Sequence, residues 1–352
     1  MKNYFKRAIK QKGITLIALV ITVIVLLILS GTAISISTSE DGIFTKTDKS
    51  NVKWNNGTLK EDISLAMIMY HDETGLKEKL GHIDGAEIEK VQGRDDAYLI
   101  TKGNSKATVY ADGDILIGET SVWGGNSDIK CPTIVIENGK HNWYINSAAE
   151  LKFLADFINN GNSLTGTANE NLANYVTGST ENIVMKPEAT IFLMKNIDLG
   201  ARPGEGATEE EKWENNTQWT PIGAQASYVT NKLGTFDGNN YTIKGVYVNQ
   251  STSNYIGGLF KYSNSIKNLT IKDSYVKGNN AVGGIVGTTA GGIIENCHNN
   301  NSTVIGLGRM TGGIVAYSQS SIEKCTNSGN INGNSRMGRR NGRIYTQIWW
   351  KY

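Results

Sequence analysis

The residues of this sequence that could perform acid–base chemistry are carboxylates within an internal repeat. Glu295 and Glu323 stand 28 positions apart at equivalent places in the repeat, and Asp237 and Asp273 lie in the same region. Hydrolysis of a glycosidic bond requires two carboxylates that flank the scissile bond. Two like-charged side chains at equivalent repeat positions are more typical of a solvated edge. We therefore predict that the protein is not an enzyme, with a carbohydrate-active enzyme of β-helix type as the alternative.

Thiol chemistry is the second possibility. Cys297 and Cys325 are also 28 positions apart, and Cys131 makes the total of 3 cysteines odd, which is a poor disulfide framework. If the repeat stacks, the two equivalent cysteines would lie about 4.8 Å apart, within the Cα range of a disulfide. Leu269 and Val246 hold the same repeat position in the earlier coils, so we predict that Cys297 and Cys325 are stacked core thiols that act as small hydrophobic groups. A disulfide between them is the alternative.

No pattern of metal or cofactor ligands is present in the sequence. There is no C-x-x-C, no H-E-x-x-H and no pair of histidines at ligand spacing. The histidines are scattered along the chain: His71, His82, His141 and His298. We predict no cofactor, no metal site and no catalytic residue.

The second half of the chain is repetitive. Doublets of glycine are each followed by two apolar residues at 257–260, 283–286 and 312–315. A second element is built on Ile243, Ile266, Ile294 and Ile322, and a third on Val276, Val304 and Ile331. Short apolar elements separated by Gly and Asn predict a three-sided coil whose turns stack to close one core. The predicted fold is a parallel β-helix over 236–333.

These repeats resemble a known family. The stretch 236–243 (FDGNNYTI), with the GGLF at 257–260 and the GGIVG at 283–287, is similar to GLUG-type repeats. Such repeats occur in bacterial surface proteins, where they are associated with adhesion. The resemblance implies a right-handed parallel β-helix and an adhesive or structural role at the cell surface.

The N-terminal region predicts a membrane segment. Residues 14–36 carry no charge and are mostly aliphatic. As a helix they would reach roughly 35 Å, enough to cross a bilayer core of about 30 Å. Residues 1–13 carry five cations and no acid, so this leader should stay in the cytoplasm and the remainder should lie outside. Membrane lipid is therefore a predicted partner.

The start of that segment resembles the leader of type IV prepilins. In KGITLI at 12–17, the resemblance implies cleavage by a prepilin peptidase after Gly13, with Ile14 as the methylated first residue. Ala18 stands where the family usually has a Glu that assists filament assembly. The resemblance implies other pilin subunits as partners, but the absence of this Glu argues against efficient packing in a filament. A plain uncleaved anchor and a removable signal peptide are the alternatives.

Between these regions the pattern predicts an α+β head followed by lead-in elements. In the head, 37–118, the capping box at Thr58 opens a helix whose apolar face includes Ile63 and Ala66. Short β-prone runs at 98–101, 107–110 and 115–117 should then form an antiparallel meander. We predict a linker at 119–142 that ends in one strand, at 133–136. The lead-in helix and strands should occupy 143–235.

Charge is unevenly distributed along the chain. The net charge is +2, but 1–13 and 334–352 carry +5 each, so the remainder carries 2 − 10 = −8. An acidic body argues against nucleic acid as a partner. The basic, aromatic tail at 334–352 departs from the repeat, which a frameshift or a surface-binding tail would explain. We predict a membrane-anchored surface protein that binds a glycan or another surface protein. The exposed polar positions of the coils, such as Tyr275 and the residues at 296–300, would offer hydrogen bonds, and Tyr247, Tyr255 and Tyr262 would offer stacking surfaces. A passive stalk is a further alternative.

Overall fold

The computed structural model describes residues 43–159, 176–177, 188–223, 233–251, 257–289 and 291–333. The predicted leader, the membrane segment, the cleavage site at Gly13 and Ile14, Ala18 and the basic tail lie outside these ranges. Among the helices within them, none combines the length and the apolar character needed to cross a membrane.

The head begins with a long helix, α1 (Ile43–Met69), followed by the short α2 (Leu76–Leu80). Ile63 and Ala66 of α1 are buried, which confirms the predicted apolar face. The predicted helix start at Thr58 is wrong, because α1 runs without interruption through that position. A Ser/Thr-x-x-Glu pattern stabilises a helix end only where backbone N–H groups are unpaired, and within a helix they are already bonded.

The head also contains an antiparallel sheet in the order β1-β2-β3-β4. Its strands are β1 (Glu87–Lys90), β2 (Ala97–Lys102), β3 (Ser105–Tyr110) and β4 (Ile115–Ile117). The meander predicted from the last three runs is confirmed, and β1 adds a strand that was not predicted. Ile100, Ala107 and Val109 of the sheet pack against Leu59 and Ile63 of α1 in one core.

The predicted linker at 119–142 and the lead-in segment that follows it both contribute strands to the solenoid. Their elements are β5 (Thr120–Val122), β6 (Thr133–Glu137), β7 (Lys140–Ile145), α3 (Ala148–Asn159), β8 (Val176–Thr177), β9 (Thr190–Leu193), β10 (Asn196–Asp198) and α4 (Glu209–Trp213). The strand predicted at 133–136 is confirmed as β6. The linker interpretation of 119–142 is wrong at β5, because β5 pairs with β10 in parallel. Three residues are too short a run to signal a strand by periodicity.

The C-terminal region is a parallel β-solenoid of about three turns. Each turn is called a rung below. Its strands are β11 (Thr235–Asp237), β12 (Thr242–Lys244), β13 (Tyr247–Gln250), β14 (Phe260–Ser263), β15 (Ser265–Lys267), β16 (Thr270–Lys272), β17 (Tyr275–Gly278), β18 (Ala281–Gly283), β19 (Val286–Thr289), β20 (Ile293–Glu295), β21 (His298–Asn300), β22 (Thr303–Gly306), β23 (Met310–Gly312), β24 (Val315–Ser318), β25 (Ser321–Glu323), β26 (Thr326–Asn327) and β27 (Asn330–Gly333).

Equivalent strands of successive rungs form parallel sheets. The long sheet has the order β25-β20-β15-β11-β9-β7-β6-β8, and a second sheet has the order β26-β21-β16-β12-β10-β5. A third stacks β13-β17-β22-β27, and shorter ones stack β14-β19-β24 and β18-β23. One rung, such as β18 to β22, therefore contains five short strands, not the three that were predicted. Gly and Asn corners divide the sides more finely than the apolar pattern shows.

The predicted register is right for most of the repeat and wrong at its start. Val276 pairs with Val304, and Ile294 with Ile322, as predicted. Ile243, however, pairs with Ile271, and the partner of Ile266 in the preceding rung is Phe236. The motif at 243–246 is similar to the one at 266–269, but backbone pairing assigns them to different sheets. The sequence similarity is local and carries no information about which strands bond.

The glycine doublets confirm the predicted stacking of rungs. Phe260, Val286 and Val315 are register partners along one sheet, and each lies two residues after the last glycine of a doublet. A Cβ added to Gly284 would lie 2.2 Å from the carbonyl oxygen of Gly313 in the next rung. Only glycine allows the backbones to approach this closely.

Candidate functional site

One continuous row of side chains runs along the outer face of the long sheet. It is called the outer row and consists of Tyr144, Phe192, Asp237, Lys267, Glu295 and Glu323, which are neighbours in the strand register. Successive strands lie about 4.8 Å apart, so five steps extend over roughly 24 Å. The rings of Tyr144 and Phe192 stack with centroids 5.5 Å apart. The row presents aromatic groups at one end and charges at the other.

The structure places the predicted carboxylate pair in this row. Glu295 and Glu323 are direct register partners on adjacent rungs. Lys324 Nζ lies 3.1 Å from Glu295 Oε1 and partly neutralises it. The two carboxylates lie side by side on one face, whereas a glycosidase pair flanks the bond that it cleaves. The arrangement is a pair of adjacent like charges on one face of the sheet.

The two repeat cysteines also occupy adjacent rungs. Cys297 and Cys325 are free thiols in the structure; Cys297 is fully buried and Cys325 is half-buried. A hydrogen bond with Cys325, together with burial, raises the pKa of Cys297. The same hydrogen bond lowers the pKa of Cys325 to about 7. In the preceding rung this place belongs to Leu269, as predicted. The prediction that Val246 occupies this place one rung earlier is wrong, because Ile243 pairs with Ile271 and not with Ile266.

The corners of the rungs carry a ladder of asparagines. Asn240, Asn268, Asn296 and then Lys324 recur at one corner, all with a positive φ between 50° and 63°. The Asn296 side-chain amide donates to Asn268 Oδ1 at 2.9 Å, and the Asn268 amide donates to Asp237 Oδ1 at 3.0 Å. These amide groups bond one another across rungs and stabilise the stacking. They are therefore not free to bind a ligand, although the sequence suggested that they would be. Asn299 is fully buried and bonds Asn327 in the next rung.

The tyrosines that were predicted to be stacking surfaces are buried. Tyr247 and Tyr262 are 5% and 8% exposed, and Tyr275, predicted to be exposed, is 0% exposed; Tyr255 lies outside the described residues. Trp213 of α4 stacks on Tyr275 with ring centroids 5.5 Å apart. The polar excursion that contains α4 therefore covers Tyr247 and Tyr275. The repeat pattern could not show this, because the covering residue comes from a non-repetitive segment.

A partly buried cluster of charges, called the junction below, joins the head to the solenoid. Asp114, between β3 and β4 of the head, accepts hydrogen bonds from Lys244 at 2.9 Å and from Lys272. Asp273 Oδ2 lies 3.3 Å from Lys244 Nζ. These groups are up to 159 positions apart in the sequence, so no local pattern of residues predicts the cluster.

Two cations of the junction lie against one ring. Lys244 Nζ is 3.8 Å and the Arg94 guanidinium carbon 5.4 Å from the centroid of the Tyr110 ring. Arg94 NH1 also lies 3.4 Å from the fully buried Asp198. Asp198 and Lys244 are register partners on the outer face of the second sheet. The head is therefore docked on a different face from the outer row.

The two carboxyl groups of the junction have opposite pKa shifts. Burial opposes ionisation of Asp114, but hydrogen bonds from Asp273, Lys272 and Lys244 outweigh it and lower its pKa. Burial and the neighbouring Asp114 raise the pKa of Asp273 to about 6. Burial disfavours the charged form of Lys244, but Asp114 and Asp273 outweigh that effect and raise its pKa. The cluster thus holds one firmly ionised carboxylate beside one that is neutral in mild acid.

Comparisons with known proteins agree with the repeat architecture. The GLUG motif matches residues 278–305, which spans β18 to β21 and most of β22. Halomucin from Haloquadratum walsbyi is 30% identical over 148 residues, which is 42% of this chain. The matched region makes up 1% of halomucin, so the chain corresponds to a very small part of that protein. No solved structure matches the chain significantly.

Proposed function

We propose that this chain is a non-enzymatic cell-surface protein whose β-solenoid presents the outer row to a glycan or to another surface protein. The observation that carries the proposal is the in-register row of aromatic and charged side chains on a solenoid that contains a GLUG motif. A stacked solenoid holds these groups at fixed spacing, so little conformational entropy is lost when an extended ligand lies along it. Many displayed copies would raise a weak affinity through avidity.

The comparisons support this proposal at the level of architecture. The GLUG motif at 278–305 supports an adhesive role, because GLUG-type repeats are associated with adhesion in bacterial surface proteins. The partial similarity to halomucin gives the same kind of support. The position of Glu295 beside Glu323 on one face supports binding rather than hydrolysis. The row nevertheless contains two carboxylates, the number that glycoside hydrolysis requires, so a surface carbohydrate-active enzyme is the second candidate.

The proposal includes membrane attachment through residues 14–36, with prepilin-type cleavage after Gly13. Export with the body outside places the solenoid where a surface ligand is accessible. Mass spectrometry of the mature protein should then find Ile14 as its first residue. An N-terminus at Met1 would leave a plain anchor instead.

Binding and turnover assays on the same material distinguish the candidates. The full chain, purified in detergent, is tested on immobilised glycans and surface proteins, and acidic polysaccharides are incubated with it and examined for shorter products. Binding without products supports the interaction module. Products that disappear in the Glu295→Gln variant would establish an enzyme. Neither binding nor products in the two assays would support a passive stalk.

A further inference from the structure

The most buried part of the junction brings an amine, two carboxyl groups and an amide donor together. Lys244 is 4% exposed, and its Nζ lies 2.9 Å from Asp114 Oδ2 and 3.3 Å from Asp273 Oδ2. The Tyr110 ring covers the amine at 3.8 Å. An amine that is held against a carboxyl group in a site with little water has the arrangement needed for condensation.

The two oxygens of Asp273 have different environments. Oδ1 accepts a hydrogen bond from Asn301 Nδ2 at 2.6 Å. Oδ2 is buried and accepts no hydrogen bond from any of the residues that the structure describes, although Lys244 Nζ is close to it. One oxygen is therefore polarised by an amide donor, and the other lies 3.3 Å from the amine.

We propose that Lys244 and Asp273 condense to an intramolecular isopeptide bond that links neighbouring rungs of the solenoid. A bond forms between Lys244 Nζ and Asp273 Cγ, and the bond from Cγ to Oδ2 breaks. Two of the three ammonium protons leave with Oδ2 as one water molecule, and the third stays on the amide nitrogen. No oxidant, reductant or further reagent is required.

The neighbouring residues supply the remaining steps. The Asp114 carboxylate accepts a proton from the Lys244 ammonium, which frees the nitrogen lone pair, and delivers it to the departing oxygen. Asn301 donates to Oδ1, where negative charge develops during the attack. The raised pKa of Asp273, about 6, keeps part of that carboxyl neutral and more easily attacked in mild acid. From that form, the carboxyl proton and one ammonium proton leave with Oδ2 as water, and the second ammonium proton passes through Asp114 to solvent. The Tyr110 ring limits the access of water that would reverse the reaction.

The geometry selects Lys244 over the neighbouring Lys272. Lys272 Nζ lies 4.0 Å from Asp273 Oδ2, compared with 3.3 Å for Lys244. The Lys272 side chain is 22% exposed, whereas that of Lys244 is 5% exposed. Lys272 therefore serves as the matched control, because it contacts the same carboxylates without the same burial.

Peptide mapping of the purified full chain tests the proposal. Acylated Lys244 resists trypsin, so the digest should contain residues 233–261 joined to 273–277, with the mass of the two peptides less one water. Fragmentation should place the branch at Lys244 and Asp273. The unlinked peptides 233–244 and 273–277 in quantitative yield from the unmodified chain would overturn the proposal, and this result does not depend on the folding of any variant.

Variants assign the roles. Lys244→Arg keeps the charge but should lose the branched peptide entirely, whereas Lys272→Arg should retain it. Asp114→Asn should slow formation of the branch at least tenfold in a refolding time course. A branched peptide that persists in Lys244→Arg would show that a different lysine reacts and would contradict the assignment.

Discussion

Lys244 Nζ of the solenoid lies 3.8 Å from the centroid of the Tyr110 ring of the head. Tyr110 is fully buried and Lys244 nearly so. A desolvated cation over an aromatic face contributes about 2 kcal/mol. Together with the ion pairs of Asp114, this contact fixes the head to the second sheet of the solenoid.

Asp114→Ala should destabilise the protein much more than a change two residues earlier in the same turn. Both variants are made on Asp273→Ala, which cannot condense with Lys244. There the loss of Asp114 leaves the buried Lys244 ammonium without its carboxylate partner, and breaking a buried ion pair costs about 3–5 kcal/mol. Asp112→Ala is the control; Asp112 is exposed, and among the described residues its side chain accepts a hydrogen bond from the Asp114 backbone N–H. Its loss should cost about 1 kcal/mol or less. Equal urea midpoints for the two variants would mean that the junction carries no stability.

The junction should make stability depend on pH in the mildly acidic range. The pKa of Asp273 is raised to about 6 from 3.8, so the ionised form is disfavoured in the folded state. The stabilising contribution of the neutral form is full below about pH 4 and is lost as the pH rises through about 6. We expect a gain of about 1 kcal/mol between pH 7 and pH 5.

The carboxyl group must be free for this effect, so the measurement is made by urea unfolding of Lys244→Arg. Adding Asp273→Asn should remove the gain. The pKa of Asp114 is lowered, so its contribution is lost only in stronger acid. A stability that falls steadily from pH 7 to pH 5 in Lys244→Arg would contradict the assignment.

Lys324→Asn should stabilise the last rung that the structure describes. Lys324 has φ 52°, a left-handed conformation that its neighbours in the ladder occupy with asparagine. Lysine is disfavoured there by about 1 kcal/mol, and an asparagine could also bond Asn296. Slower hydrogen exchange of the Thr326 N–H, which donates to Cys297 O at 3.1 Å, would show the gain. Lys324→Ala keeps a residue that disfavours the positive φ and adds no side-chain amide, so it should not slow the exchange of the Thr326 N–H.

Cys325 should react with alkylating reagents well before the other cysteines. Its pKa is lowered to about 7 and it is half-buried, whereas Cys131 and Cys297 are buried with raised pKa values. Because the thiolate is the reactive form, the labelling rate should rise with pH around a midpoint of about 7. Cys325→Ser should abolish the fast phase. Two cysteines that resist labelling until a reductant is added would instead indicate the disulfide.

The repeat could be read from sequence because its information is local and periodic. A spacing of 28 places Tyr247 beside Tyr275 and Val276 beside Val304 in adjacent strands. The period states which residues are stacked, but not what covers them. Trp213 buries Tyr275 from a segment without repeats, and Asp114 reaches Lys244 from a head 130 positions away. Such contacts depend on the docking of segments and leave no periodic signal.

The proposal that the outer row is the binding face is tested most directly by removing charges from the row and measuring the affinity of the protein for its ligand. Glu295→Gln with Glu323→Gln is compared with Glu87→Gln and Glu89→Gln, which remove two exposed carboxylates from β1 of the head. On the ligand found by array, binding measured by biolayer interferometry should weaken about tenfold for the row variant, equivalent to about 1.4 kcal/mol. It should not change for the head variant. Equal affinities for both variants and the unmodified chain would show that the ligand binds elsewhere.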